Sequence, residues 1–139
     1  MGNGQSAMGE QVNGRYQRSA SIASYYDLDV WKIAMDLAVD CYGLTRGFPR
    51  DELFGLTSQI RRASASVPAN IAEGYGRDNR GDYVHHLRIA QGSLKELETH
   101  LILASRVGIV TTEQLDPILS RADRTGRLLR SLYRSLQRS

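Results

Sequence analysis

Apolar residues recur at steps of three and four along four stretches of the chain, the spacing that lines one buried face of a helix. The longest unbroken run is Tyr83, Leu87, Ala90, Leu94, Leu97, Leu101 and Ala104, the apolar seam of a bundle or coiled coil. It predicts a helix capped by Asp78 and ended by Gly108. Small residues on it, Ala90, Gly92 and Ser93, suit the close approach of a neighbour. Upstream, Trp31, Ala34, Met35, Ala38, Cys41 and Tyr42 predict a helix from Asp27 or Asp29 to Arg46, stopped by Gly47, Phe48 and Pro49. Leu53, Leu56, Ile60, Ala63, Val67 and Ile71 predict another from Asp51 to Glu73.

Pro68 lies inside that second pattern and removes one backbone donor, so the segment is one kinked helix or two shorter ones. The shared register of Ile60, Val67 and Ile71 favours the kink. Gly74-Tyr75-Gly76 makes a turn and, with no strand before it, not a phosphate loop. Thr111 and Gln114 form a capping-box pattern that opens a last helix, with Pro117 still in its first turns. Its apolar face is Leu115, Ile118, Leu119, Ala122, Leu129, Leu132, Tyr133 and Leu136. Four amphipathic helices with short connections predict an all-α fold, an antiparallel up-down-up-down four-helix bundle over residues 27–139. Residues 1–26, rich in Gly, Ser, Gln and Asn and without a hydrophobic period, read as a flexible tail. Its first six residues match an N-myristoylation pattern, which is short and acts only in the presence of a eukaryotic enzyme.

A length of 139 residues fits one domain, and 41% hydrophobic with 24% charged residues argues against global disorder. The single cysteine, Cys41, excludes an internal disulfide and a multi-cysteine zinc site, and its apolar helical position predicts a buried thiol. That usage fits a reducing cytoplasm. No apolar run approaches the roughly 18–20 residues of a membrane span. The net charge is only +3, yet 16 Arg stand against two Lys, Lys32 and Lys95. Arginine makes the better forked contact to phosphate or carboxylate, although high-GC codon usage enriches it too.

The arginines concentrate on the last helix. At about 100° per residue, Arg124, Arg127, Arg130, Arg134 and Arg138 share an arc of roughly 120° opposite the apolar face. From Arg121 to Ser139 only Asp123 offsets six arginines. Such a stripe is either a contact surface for RNA or DNA phosphates or a solvated face that favours the negative end of the helix dipole. Tyr133 is the one nearby aromatic residue and falls on the inner face, so any binding is dominated by phosphates. Catalytic patterns are weaker. Arg80 and His85 have an R-x4-H spacing that resembles the ribonuclease motif of HEPN-type bundles, but Gly81 stands where those nucleases commonly carry a polar residue. Asp82 with His85, and Glu96 with His100, share helical faces, yet the inward positions a di-iron bundle needs are apolar. No cofactor or metal is expected.

The stretch from Phe54 to Ala63 (FGLTSQIRRA), leading into Val67-Pro68-Ala69-Asn70-Ile71-Ala72-Glu73-Gly74, closely resembles the bacterial 23S rRNA intervening-sequence proteins. Leu28 to Ala38 (LDVWKIAMDLA), Phe48-Pro49 and Gly92 to Thr99 (GSLKELET) are similar to the same family, over about residues 27–110. The resemblance implies a four-helix bundle that assembles with itself into a ring, typically a pentamer. It defines no activity, catalytic residue or cofactor. A related branch, the accessory variability proteins of diversity-generating retroelements, binds nucleic acid and a reverse transcriptase through basic surfaces. Where relatives often carry Arg-Phe, this chain has His85-His86, which would make charge there pH-dependent. Arg61 and Arg62 point in different directions, and one is expected to pair with a neighbouring subunit. Gln59, Asn70 and Glu73 are expected to satisfy backbone freed by Pro68. The leading expectation is a cytoplasmic homo-oligomer that contacts RNA or DNA through Arg124, Arg127, Arg130 and Arg134, with Arg61, Arg62 and Arg77 added. A docking oligomer with an acidic protein partner and a HEPN-like ribonuclease are the alternatives.

Overall fold

The computed structural model describes Tyr25 and residues 28–138. Four helices account for most of them: α1 (Asp29–Thr45), α2 (Leu56–Tyr75), α3 (Arg80–Arg106) and α4 (Thr112–Arg138), with a 3-10 turn, Arg50–Glu52, ahead of α2. Each helix packs on the next and α4 closes against α1, while the diagonal pairs α1/α3 and α2/α4 do not meet. The directions follow from the cross-helix pairs. Arg62 meets Glu96, Ser66 meets Ser93 and Asn70 meets His86, so α2 rises in number as α3 falls. Short connections between adjacent helices leave this antiparallel arrangement as the economical one.

The α3 seam behaves as its spacing predicts: Leu87, Ala90, Leu94, Leu97, Leu101 and Ala104 are all buried, and Tyr83 is half-buried. Leu115, Ile118, Ala122 and Leu129 of α4 join them, as do Ile60, Ala63, Val67 and Ile71 of α2. The first helix departs from expectation. Its core face is Val30, Ala34, Leu37, Cys41 and Thr45, while Met35 and Tyr42 are 39% and 41% exposed. α1 carries two apolar stripes about 100° apart, and the one richer in large residues faces outward along the edge of α2. The Cys41 thiol is buried as expected, and burial, with the Asp40 charge beside it, pushes its pKa up to about 12.

The start of α2 also moves. Leu53 is half exposed and Phe54 almost fully so, because the 3-10 turn and a Gly55 outside helical geometry carry them past the core. The helix proper begins at Leu56, whose N–H donates to the Glu52 carboxylate at 3.0 Å. Thr57, not Leu53, occupies the first buried position. α2 continues through Pro68 as one helix. None of the three residues expected to do so serves the Ser64 carbonyl that Pro68 leaves without its helical donor: Asn70 donates to the Ser66 carbonyl at 2.9 Å, and Gln59 and Glu73 serve Arg62 and Arg77.

Asn79 rather than Asp78 caps α3, its side chain accepting from the Asp82 N–H at 2.8 Å. Gly108, at φ 85°, turns the chain out of α3. Thr111 and Gln114 then make both bonds of a capping box, at 2.9 and 3.1 Å. Asp27 lies outside the described residues, as does the tail, its N-terminal hexapeptide included, apart from Tyr25. Close approach of α2 and α3 centres on Gly74, where an added Cβ would lie 2.9 Å from that of His86 and 3.0 Å from the Tyr83 ring. Ser93 lies at this interface, 2.8 Å from Ser66, but Gly92 does not: no atom lies within 4 Å of the Cβ it lacks.

Candidate nucleic-acid interface

The arginines of α4 are sorted by what lies beside them. Arg121 pairs with Asp40 of α1. Arg124, at the α1 edge, lines a shallow hollow shared with Asp29, Asp36 and Lys32. Arg127 lies 3.3 Å from the Asp123 carboxylate one turn earlier, both exposed. Arg130 and Arg134, on the other edge, meet no carboxylate among the described residues. Where α4 runs beside α3, the stripe therefore meets no carboxylate among the described residues.

There it opens into a groove of about 600 Å³. Arg88 and Lys95 of α3 and Arg130 and Arg134 of α4 line it, and no carboxylate does. Lys95 leans toward Glu98 at 3.3 Å on its own helix. Leu94 and Gly126 form the floor. A glycine at 126 matters: a Cβ there would lie 3.3 Å from Leu94 and 3.6 Å from Arg130 Nη1, so any side chain at this position would press on Leu94 and fill the floor. Arg88 donates to the Tyr133 hydroxyl through Nη2 at 2.8 Å and lies 5.6 Å from the ring centroid. That hydrogen bond, followed by one from Gln137, lowers the Tyr133 pKa. Tyr133 does pack against the core as expected, but it also lines the groove. The side-chain amide of Gln91, half-buried in the same lining, makes no hydrogen bond to any described residue.

The three arginines anticipated outside α4 are committed elsewhere. Arg61 donates from Nε to Thr45 at 2.8 Å and lies over the Tyr42 ring at 4.9 Å. Arg62 pairs with Glu96 at 2.5 Å and bonds Gln59, within the chain. Arg77 pairs with Glu73 at 2.7 Å. None of them reaches the groove. What the α4 pattern missed is the opposite wall: Arg88, Gln91 and Lys95 follow three-four spacing on the flank of α3, a signal hidden beside the stronger apolar seam.

The acid–base candidates come together less well. Arg80 and His85 are both exposed, and His85 meets the His86 ring edge-on at 5.5 Å. His86 in turn bonds Asn70 at 3.0 Å, joining α2 to α3. Glu96 lies 3.7 Å from His100, but the hydrogen bond from Arg62 already engages it and holds its carboxyl below the usual range. Among the described residues, no three His, Cys, Asp or Glu side chains converge as a metal site would require. No described helix is long and apolar enough to cross a membrane.

A crystal structure from Bacteroides thetaiotaomicron, of a protein with unknown function from the S23 ribosomal protein family, has the same architecture. It aligns at a TM-score of 0.68 and 28% identity over 75% of this chain and 97% of that one. No curated protein matches the chain significantly. The model of the family described as 23S rRNA-intervening sequence protein matches residues 26–131, and the chain belongs to that family.

Proposed function

We propose that this protein is a homo-oligomeric, non-catalytic bundle that binds RNA or DNA phosphates through the arginines of α4 and the facing wall of α3. The observation that carries this reading is the convergence of Arg88, Lys95, Arg130 and Arg134 on one groove without a carboxylate in its lining. Unneutralised guanidinium groups held on two rigid helices repel one another, and an anion relieves that repulsion. A polyphosphate backbone fits better than an isolated anion because Arg127 and Arg138 extend the basic face along the same helix. An acidic protein would meet the same charge, but it has less use for a row of forked donors matched to phosphate.

Self-association is supported by a second surface. Met35, Val39 and Tyr42 on α1 form one edge of an apolar groove of about 510 Å³, and Ala65, Ala69 and Ala72 on α2 form the other. Val39 is 65% exposed. A different face of a second copy, docked head to tail and repeated around a ring of five, would cover it, as the resemblance to the intervening-sequence proteins implies.

The test is binding of purified protein to labelled single-stranded and duplex RNA and DNA at low salt. The double variant Arg130→Ala/Arg134→Ala is expected to lose at least tenfold in affinity. Arg62→Ala/Arg77→Ala, which removes equal charge from paired positions, is expected to change it less than threefold. Absence of binding by the unaltered protein would overturn the nucleic-acid reading.

A further inference from the structure

The groove is more than a patch of charge. Four cationic side chains surround a floor made of Leu94, bare backbone at Gly126 and the Tyr133 ring. Into the same space faces Gln91, whose amide has both a donor and an acceptor to offer and no partner among the described residues. Phosphate alone needs neither an apolar floor nor a free amide. A volume of about 600 Å³ falls within the range of small-ligand clefts, roughly 300–1,000 Å³.

We infer that the groove between α3 and α4 seats one unpaired nucleotide of a single strand. Its base lies on the Leu94, Gly126 and Tyr133 floor with its edge toward Gln91, and its flanking phosphates meet Arg88, Arg130 and Arg134. This rests on the nucleic-acid reading and sharpens it. The groove holds about 600 Å³, room for one nucleotide but not for a stacked duplex. A duplex base reaches the floor only by leaving its stack, which costs a few kcal/mol, whereas an unpaired base is free to do so. The exposed stripe through Arg127 and Arg138 accepts the backbone of either form. The protein therefore prefers single strands, and the preference resides in the groove rather than in total charge.

Plugging the groove without changing charge separates the two contributions. Gln91→Trp places bulk at the groove wall, and Gln91→Leu removes the amide at nearly constant size. Circular dichroism and light scattering would establish that each variant keeps fold and assembly. Binding is read with a twelve-nucleotide single strand and with the duplex of the same sequence. Wild-type protein is expected to favour the single strand at least fivefold. Gln91→Trp, or Gln91→Leu should the tryptophan variant misfold, is expected to erase that preference while duplex affinity stays within twofold. Equal wild-type affinity for the two forms would overturn the inference and leave phosphate binding standing. Retention of the preference in both variants, or equal loss on both forms, would overturn it as well. Failure to bind either nucleic acid would instead remove the broader reading on which it depends.

Discussion

Burial decides the chemistry of individual residues here as much as identity does. Cys41 is wholly enclosed, and its thiol ionises near 12 rather than at 9.0 because the thiolate would be desolvated beside Asp40. Folded protein at pH 8 is therefore expected to resist a thiol reagent such as dithiobisnitrobenzoate, and to release one equivalent of chromophore only when unfolded by denaturant. Rapid labelling of native protein would contradict the burial. The linkage has a definite sign. Between 9.0 and about 12 the unfolded chain gives up a proton that the folded chain keeps, so this residue's contribution to stability falls as pH rises through that window and is constant below it. The buried thiol was legible in the sequence from its place in an apolar period. The partners of Arg61, Arg62 and Arg77 were not, because Thr45 and Glu96 lie on other helices, and although Glu73 is one turn from Arg77 on the family motif, spacing alone does not say which carboxylate an arginine takes.

At the scale of elements, periodicity located all four helices, and cap chemistry placed the end of α3 at Gly108 and the start of α4 at Thr111. It did not place the starts of α1, α2 and α3, where Asp29 makes no cap bond, Gly55 precedes the helix and Asn79 replaces Asp78. Periodicity failed where a helix has two apolar faces: on α1 the larger side chains, Met35 and Tyr42, were the natural choice for the core, yet Leu37 and Val30 took it. It failed again at Leu53, where a Gly55 outside helical geometry detaches an apolar residue from the stripe that follows. The helix pair α2/α3 depends on one small residue. Gly74→Ala would force its Cβ against His86 and the Tyr83 backbone, neither of which is the free end of a flexible chain. The overpacking costs about 1–3 kcal/mol, less a gain of up to about 1 kcal/mol from alanine's helix propensity. A melting temperature lowered by several degrees is expected in a thermal unfolding scan, with helix content retained at 20 °C. An unchanged melting temperature would mean that α2 and α3 separate at this point without cost.

For the whole molecule, two surfaces carry the proposals, and the sequence revealed them unequally. The basic stripe was visible because one helix carries it; the groove was not, because half of its lining belongs to α3 and Gly126 has no side chain to announce it. Val39→Glu addresses the apolar surface. The residue is largely exposed in the single chain, so the bundle should tolerate the charge within about 0.5 kcal/mol, while a copy packed on it should not. Light scattering is expected to show a multimer for the unaltered protein and a monomer for the variant; an unchanged multimer would place the contact elsewhere. The central claim concerns charge, and the dependence of nucleic-acid affinity on salt tests it most directly. On logarithmic axes, affinity is expected to fall steeply with salt concentration, and each phosphate contact removed should flatten the slope by about 0.7–0.9. Arg130→Ala/Arg134→Ala is expected to reduce the slope by nearly two such steps, and Arg62→Ala/Arg77→Ala by almost none. Equal slopes for both double variants and the unaltered protein would contradict phosphate contact at the groove.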